Sequence, residues 1–256
     1  MAKLSNRLLM VAAQVPPGSR LADIGSDHAL LPIHLAESGR IPFAVAGELN
    51  DGPYETARNR VREAGLERIV HVRKGDGLTV VSPGEVDVVV IAGMGGALIA
   101  SILENGKTKL DSVSRLVLQP NVAEDAVRRW LAANGWLLCD EALLYEDGQF
   151  YEVLTAVRSE EADERNRRLY APKKMAGGPV VPTDMLFKMG PLLIDRADNV
   201  FREKWRLAAE KIGKIVAGMA LSDSEAAETK RRALMEEKRL IEEVLRCLPT
   251  ARRSSS

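Results

Sequence analysis

Leu21-Ala-Asp-Ile-Gly-Ser-Asp-His-Ala-Leu30 carries an apolar run onto an acid and a glycine, and two later stretches repeat the arrangement, Ala44-Val-Ala-Gly-Glu-Leu-Asn50 and Lys74-Gly-Asp-Gly-Leu78. Short apolar runs separated by stretches of helical spacing read as neighbouring parallel strands. The carboxyl ends of such strands open into one crevice, where open α/β sheets bind ligands. Glycine there allows a ligand close to the backbone, and a carboxylate accepts hydrogen bonds from hydroxyls and amines. The three stretches together describe a nucleotide-binding edge.

Strand and helix alternate on either side. Leu4 to about Val15 reads as a short amphipathic helix, Pro16-Pro-Gly-Ser19 as a turn, and Leu21 to Ile24 as the first strand. Helical spacing from Ala29 to Ser38, a strand from Phe43 to Gly47, a helix from Pro53 to Ala64 stopped by Gly65, and a strand from Ile69 to Arg73 follow. Val86-Asp-Val-Val-Val-Ile91 is the β-branched run expected of a strand covered on both faces. Gly93-Met-Gly-Gly96 leads to a helix ending near Glu104, then come the strand Arg115 to Gln119 and a helix from Ala123 to Asn134. Trp136 to Tyr145 and Phe150 to Arg158 form two strands around Glu146-Asp-Gly-Gln149, whose Asp-Gly pair is a hairpin signal. The order predicts an α/β fold with a Rossmann-like sheet, mostly parallel and closed by an antiparallel terminal hairpin. This first domain spans residues 1–160.

Residues 161–256 differ in kind. Glu160 to Asp184 reads as a polar connector. Ile194, Ala197, Phe201, Trp205, Ala208, Ile212, Ile215 and Met219 share one helical face, and Leu234, Ile241, Leu245 and Leu248 share another. Ser222-Asp-Ser-Glu225 between them has the form of a capping box, so the expectation is an α-helical coiled-coil hairpin. The last residues, Arg252 to Ser256, are expected to be disordered.

The charges balance, 36 Lys and Arg against 36 Asp and Glu, so any nucleic-acid binding must use local basic faces. Cys139 and Cys247 stand far apart with no CxxC or histidine-rich partner, which predicts two reduced core residues and no metal site. The start, Met1-Ala-Lys-Leu-Ser-Asn-Arg7, lacks the apolar core of a signal peptide, and no stretch reaches membrane-spanning length. A cytoplasmic protein with no membrane partner is expected, and a monomer is favoured.

Asp23-Ile-Gly-Ser-Asp-His-Ala29 does not match the dinucleotide fingerprint, since Gly25 stands alone. Glu48 follows Gly25 at close to the ~20-residue offset at which an acid grips a ribose, and Asp76 could accept from an adenine amine. No cradle for a dinucleotide's phosphates is evident, so the edge favours S-adenosylmethionine over NAD. Candidate donor-site residues are Asp23, Gly25, Ser26, His28, Glu48, Leu49, Gly75, Asp76, Gly77, Gly93 and Met94. Candidate substrate residues are Gly95, Gln119, Asn121 and Tyr151, with Lys230, Arg231 and Arg232 as phosphate contacts. Ordinary structural roles stand beside each: a helix-capping or surface glutamate at Glu48, a turn acid at Asp76, a helix cap at Asp27, an N-cap at Asn121, sheet packing at Tyr151, a solvated helix face at the three cations. His34 and His71 are expected to be structural.

The segments Asp23-Ile-Gly-Ser-Asp-His-Ala29, Gly47-Glu-Leu-Asn-Asp-Gly-Pro-Tyr54, Gly75-Asp-Gly-Leu78, Ile91-Ala-Gly-Met-Gly-Gly96, Leu118-Gln-Pro-Asn121 and Tyr145-Glu-Asp-Gly-Gln-Phe-Tyr-Glu152, in this order, resemble the bacterial tRNA (adenine(22)-N(1))-methyltransferase family. The resemblance implies a class I methyltransferase sheet and methyl transfer from S-adenosylmethionine to N1 of a D-loop adenine in tRNA. It places Gly25, Glu48, Asp76, Gly77 and Met94 at the donor, Asp27 as the catalytic acid nearest the reacting centre, and the helical hairpin on tRNA. A small-molecule methyltransferase and a non-catalytic RNA-binding protein of the same fold are the alternatives.

Overall fold

The computed structural model describes residues 4–219 and 224–249, in two compact units, Met1–Arg167 and Arg168–Ser256. In the first, α1 (Asn6–Ala13) precedes β1 (Arg20–Ile24), followed by α2 (Leu30–Glu37), β2 (Phe43–Glu48), α3 (Asp51–Glu63) and β3 (Val70–Lys74). The chain then returns through β4 (Val88–Gly95), α4 (Gly96–Asn105), β5 (Arg115–Val122), α5 (Glu124–Ala133), β6 (Trp136–Glu146) and β7 (Gln149–Arg158). The seven strands make one sheet in the order β3-β2-β1-β4-β5-β7-β6. Strands β1 to β5 are parallel, and β7 runs antiparallel to β5 and β6. The chain moves outward from β1 to β3 and then crosses to β4 on the other side of β1, so the switch point lies between β1 and β4.

The β-branched run of β4 explains why it sits centrally: Val88, Val89, Val90 and Ile91 are all buried, each worth roughly 1.5–3 kcal/mol over exposure. Asp51 in the first turn of α3 and Arg60 and Arg62 in its last complement the helix dipole. The β6–β7 turn takes positive φ at Asp147 (+49°) and Gly148 (+80°), the pairing an Asp-Gly hairpin requires. Arg128 of α5, without exposed surface, donates to Glu141 Oε1 at 2.6 Å and to Glu152, tying α5 to both hairpin strands. The tip of the hairpin also holds α1, because Glu146 accepts the backbone N–H groups of Asn6 (2.8 Å) and Arg7 (3.0 Å).

Several expectations change. Strand β4 continues through Gly95, with register shifts around Met94, so Gly93-Met-Gly-Gly96 is an irregular strand end. The connector is structured as α6 (Ala162–Leu169), a two-stranded ribbon of β8 (Lys173–Lys174) and β9 (Val180–Val181), and α7 (Thr183–Met189). Asn166 within α6 explains part of this, donating to Trp136 O at 2.8 Å. The apolar face beginning at Ile194 is divided between α8 (Pro191–Asp195) and α9 (Asn199–Gly218), since the Asp198 carboxylate accepts from Phe201 N at 2.8 Å and starts a new helix. Ser222 of the expected capping box lies outside the described residues, and α10 (Glu225–Cys247) is capped by Ser224, whose Oγ accepts from Ala227 N at 3.2 Å. Helices α9 and α10 pack on each other, and Phe201, Trp205 and Ala209 of the first and Ile241 and Val244 of the second are buried. Cys139 is exposed and Cys247 half-buried, so neither is a core residue. Arg252 to Ser256 also lie outside the described residues. Among the described residues no helix is long and apolar enough to cross a membrane, and no cluster of His, Cys, Asp or Glu could hold a metal ion.

Candidate active site

A cavity of about 280 Å³ opens at the β1–β4 switch point. The β1 end contributes Asp23, Gly25, Ser26 and Asp27, the β4 end Ala92, Gly93 and Met94, and Asn121, Tyr151, Arg7 and Leu8 complete it. Eight of these were anticipated from sequence. Arg7, Leu8 and Ala92 were not.

The loop after β1 is held in a conformation that side chains resist. Gly25 has φ +66°, and Asp27, His28 and Ala29 follow with φ +47°, +73° and +58°, where a non-glycine residue costs about 1–2 kcal/mol. Hydrogen bonds from β2 hold the run. Gly25 N and Ser26 N donate to Gly47 O (2.9 and 3.2 Å), and His28 N donates to Glu48 Oε1 at 3.3 Å. The Asp27 amide also lowers the Glu48 carboxyl, but burial outweighs both bonds and leaves its pKa raised. Asp23, almost without exposed surface, accepts from Ser26 Oγ at 2.5 Å. Its carboxyl is pushed up to about 7, by burial first, against the Ser26 bond, with Glu48 and Asp27 adding repulsion.

This loop overturns one alternative. Helix α2 begins at Leu30 after Ala29, with no side-chain cap. Asp27 is therefore not its cap, and its side chain, 79% exposed, stands at the crevice 3.4 Å from His28 Nε2. His28 Nδ1 is buried without a hydrogen-bond partner among the described residues.

Gln119, expected to meet substrate, has no exposed surface and instead organises the β4 end. Its Oε1 accepts from Arg7 Nη1 (2.7 Å) and Gly93 N (3.1 Å), while its Nε2 donates to Pro120 O (2.9 Å) and Asn121 Oδ1 (3.0 Å). Asn121 Nδ2 donates in turn to Gly93 O at 2.9 Å. Both backbone groups of Gly93 are thereby fixed. Ala123, not Asn121, occupies the cap position of α5, at φ +56°, so the N-cap alternative fails as well. Gly95 lies outside the cavity lining, and a Cβ there would reach Val122 Cγ2 at 3.8 Å. Met94 folds back over the β1 loop, where a Cβ at Gly25 would collide with its terminal methyl. Tyr151 faces the Arg7 guanidinium, 5.6 Å from its ring centre.

The remaining donor-site candidates sit at the neighbouring strand ends. Glu48 and Lys74 are register partners, so Asp76 lies just beyond Glu48, exposed and carrying no side-chain hydrogen bond among the described residues. A Cβ at Gly75 would meet Val80 Cγ1 at 2.8 Å, and one at Gly77 would meet Ile102 Cγ2 at 3.1 Å. Leu49 is 57% exposed beside them. Acceptor-only groups at three successive strand ends fit an adenosine carrying a cationic amino-acid end, because the diol, the ring amine and an ammonium all donate. His71 lies against Phe43 with tilted rings (5.1 Å) and His34 is part-buried, both outside the cavity lining.

The second unit carries the other proposed substrate residues. Arg231 pairs with Glu228, Arg232 Nε lies 3.3 Å from the same carboxylate, and Lys230 is exposed with no side-chain bond among the described residues. Lys173 pairs with Asp195, while Lys174 donates to Gly178 O, a neutral acceptor that leaves its charge unbalanced.

A family model described as tRNA (adenine(22)-N(1))-methyltransferase matches residues 21–243. A Bacillus subtilis (strain 168) protein named tRNA (adenine(22)-N(1))-methyltransferase is 41% identical over 244 residues, covering 95% of this chain and 97% of its own length. The crystal structure of the B. subtilis m1A22 tRNA methyltransferase TrmK superposes with a TM-score of 0.85 at 38% identity, covering 96% of this chain and 100% of that one. Streptococcus pneumoniae Sp1610, in complex with S-adenosyl-L-methionine, superposes with a TM-score of 0.79 at 37% identity, covering 95% and 100%. With the switch-point crevice and its acids in place, the match across nearly the whole length assigns the protein: the chain belongs to the tRNA (adenine(22)-N(1))-methyltransferase family.

Proposed function

We propose that the family's reaction, methyl transfer from S-adenosylmethionine to N1 of adenine 22 in tRNA, takes place in this chain over the β1–β4 switch point. Asp23, Glu48 and Asp76 hold the donor, and Asp27 faces the base. The observation that carries this assignment is the set of acids on three neighbouring strand ends, of which Asp23 lines the cavity together with a β4 glycine whose N–H and C=O are both clamped. When bound, the donor supplies an electrophilic methyl group on a sulfonium.

Asp23, once ionised, accepts from the donor's ammonium. Glu48 has two tasks: it pins the left-handed loop that presents Asp27, and we assign its carboxylate to the ribose diol. Asp76 accepts from the ring amine. Adenine N1 already has an in-plane lone pair, so no residue needs to remove a proton to make the nucleophile. Positioning in a water-poor crevice is the main contribution, and well-oriented reactions gain roughly 7–11 kcal/mol from it. Asp27 supplies the electrostatic part, its carboxylate favouring positive charge that grows on the base. Because N1 lies on the pairing edge, the base must be met unpaired or be extruded, and Tyr151 offers it a ring to stack on. Lys230, Arg231 and Arg232 meet tRNA phosphates, and a tRNA substrate implies a cytoplasmic setting.

Incubation with labelled donor and total bacterial tRNA, followed by nucleoside mapping, tests the reading. Label confined to 1-methyladenosine at position 22, lost in Glu48→Ala, is expected. Label on another nucleoside, or full activity without Glu48, would overturn it.

A further inference from the structure

Arg7 is the one cation among the residues lining the crevice, and none of the roles above uses it. We propose that Arg7 is a substrate-binding residue whose guanidinium takes an oxyanion brought into the crevice by a substrate; the inference rests on the functional reading above.

The side chain is placed without an ion pair, although the Asp23 and Glu146 carboxylates feel its charge. Its Nη1 donates to the amide oxygen of Gln119 at 2.7 Å, a neutral acceptor. Among the described residues no carboxylate lies within ion-pair distance of it, and Glu146 takes the backbone N–H of Arg7, not its guanidinium. The remaining guanidinium donors have the planar fork that matches a carboxylate or a phosphate.

Placement is firm on three sides. Glu146 holds the start of α1, the Tyr151 ring lies 5.6 Å from the guanidinium carbon, and a Cβ added at Gly93 would come within 3.7 Å of Nη1. A long side chain held this way loses little freedom when it binds. A guanidinium opposes the positive charge that grows on the base and offsets part of what Asp23 and Asp27 in the same crevice contribute. An oxyanion arriving with a substrate removes the opposition.

Two substrates can bring one. The amino-acid end of the donor is a zwitterion, and the same cavity holds Asp23 for its ammonium and Arg7 for its carboxylate. The alternative source is a backbone phosphate of the extruded nucleotide.

The test compares Arg7→Gln and Arg7→Lys with the wild-type chain. S-adenosylmethionine and its decarboxylated analogue are titrated calorimetrically, and tRNA binding is measured against salt. If the donor's carboxylate is the anion, Arg7→Gln weakens S-adenosylmethionine by about tenfold or more, leaves the decarboxylated analogue unchanged, and Arg7→Lys recovers part of the loss. If a phosphate is the anion, donor affinity holds, tRNA binding weakens about tenfold, and the slope of log K against log salt falls by about one. Either result supports the proposal and names the source. It is overturned if Arg7→Gln changes neither affinity, weakens both donor analogues equally, or weakens tRNA binding with the salt slope intact, since each reduces Arg7 to a support for α1. A wild-type chain that binds no S-adenosylmethionine would instead sink the functional reading itself.

Discussion

Lowering the pH from about 7.5 to 5.5 should weaken donor binding because of one buried carboxyl. Asp23 ionises at about 7 in the folded chain against 3.8 in the reference state, burial being the largest cause. Between those values the unfolded chain has released a proton that the folded chain keeps, so stability falls as pH rises through the window. For this displacement the loss reaches roughly 4 kcal/mol once the pH exceeds about 7. A cationic ammonium placed beside Asp23 favours the ionised form, so binding below about pH 7 must expel a proton, and Kd should weaken up to about tenfold for each pH unit. Above about pH 8 the donor's α-amino group loses its own charge, and affinity should decline again. Calorimetric titration in two buffers of different ionisation enthalpy reads the effect directly: release from Asp23 approaching one proton near pH 6, and falling to about a quarter of one near 7.5. Asp23→Asn retains an acceptor for Ser26 Oγ, so it should abolish the acid limb, bind donor more weakly at neutral pH, and unfold at a higher temperature than wild type at pH 8. A wild-type Kd that is flat across the acid range, or an acid limb that survives in Asp23→Asn, would refute the assignment of Asp23 to the ammonium.

Asp27→Asn should lower kcat by about 10- to 100-fold, the worth of one charge-assisted hydrogen bond, with donor Kd unchanged; equal kcat in single-turnover assays would remove Asp27 from the chemistry. A Cβ at Gly96 would be driven into Ala123, 2.8 Å from its carbonyl carbon and 3.0 Å from Val122 O, all backbone that cannot rotate away. Gly96→Ala should therefore destabilise by about 1–3 kcal/mol or more in thermal unfolding, whereas Gly52→Ala, in the first turn of α3 with nothing within 4 Å, should stabilise by about 0.4–1 kcal/mol. Arg128→Met leaves Glu141 and Glu152 buried together and should cost about 3–5 kcal/mol. Converting both acids to Gln in the same chain should recover most of that loss, and no recovery would mean the arginine acts by packing, not by charge.

What could be read in advance divides along a physical line. Parallel strands bring their carboxyl ends to one edge however far apart they lie in the chain, so Asp23, Glu48 and Asp76 could be grouped from pattern alone. The hairpin at Asp147-Gly148 was legible for a related reason, since only a few residue types accept two positive φ angles in succession. The loop after β1 was only half legible: its glycine marked the turn, but nothing in Asp27-His28-Ala29 announces three left-handed residues, because their conformation is imposed by the carbonyl of Gly47 and the carboxylate of Glu48 on another strand. Arg7 was invisible for the same cause carried further. The local pattern of α1 shows an amphipathic helix and no more, and the direction of its guanidinium is decided by Gln119 and Tyr151, with Glu146 setting where the helix starts. Gln119 itself looked like a substrate contact because a polar residue at a strand end is normally open to solvent, whereas here the irregular end of β4 closes over it and consumes every donor and acceptor it has. Residues set at a strand end by position are thus recoverable from sequence, while those that act by clamping a neighbouring backbone are not, and the second kind decides how the strand-end loops are held.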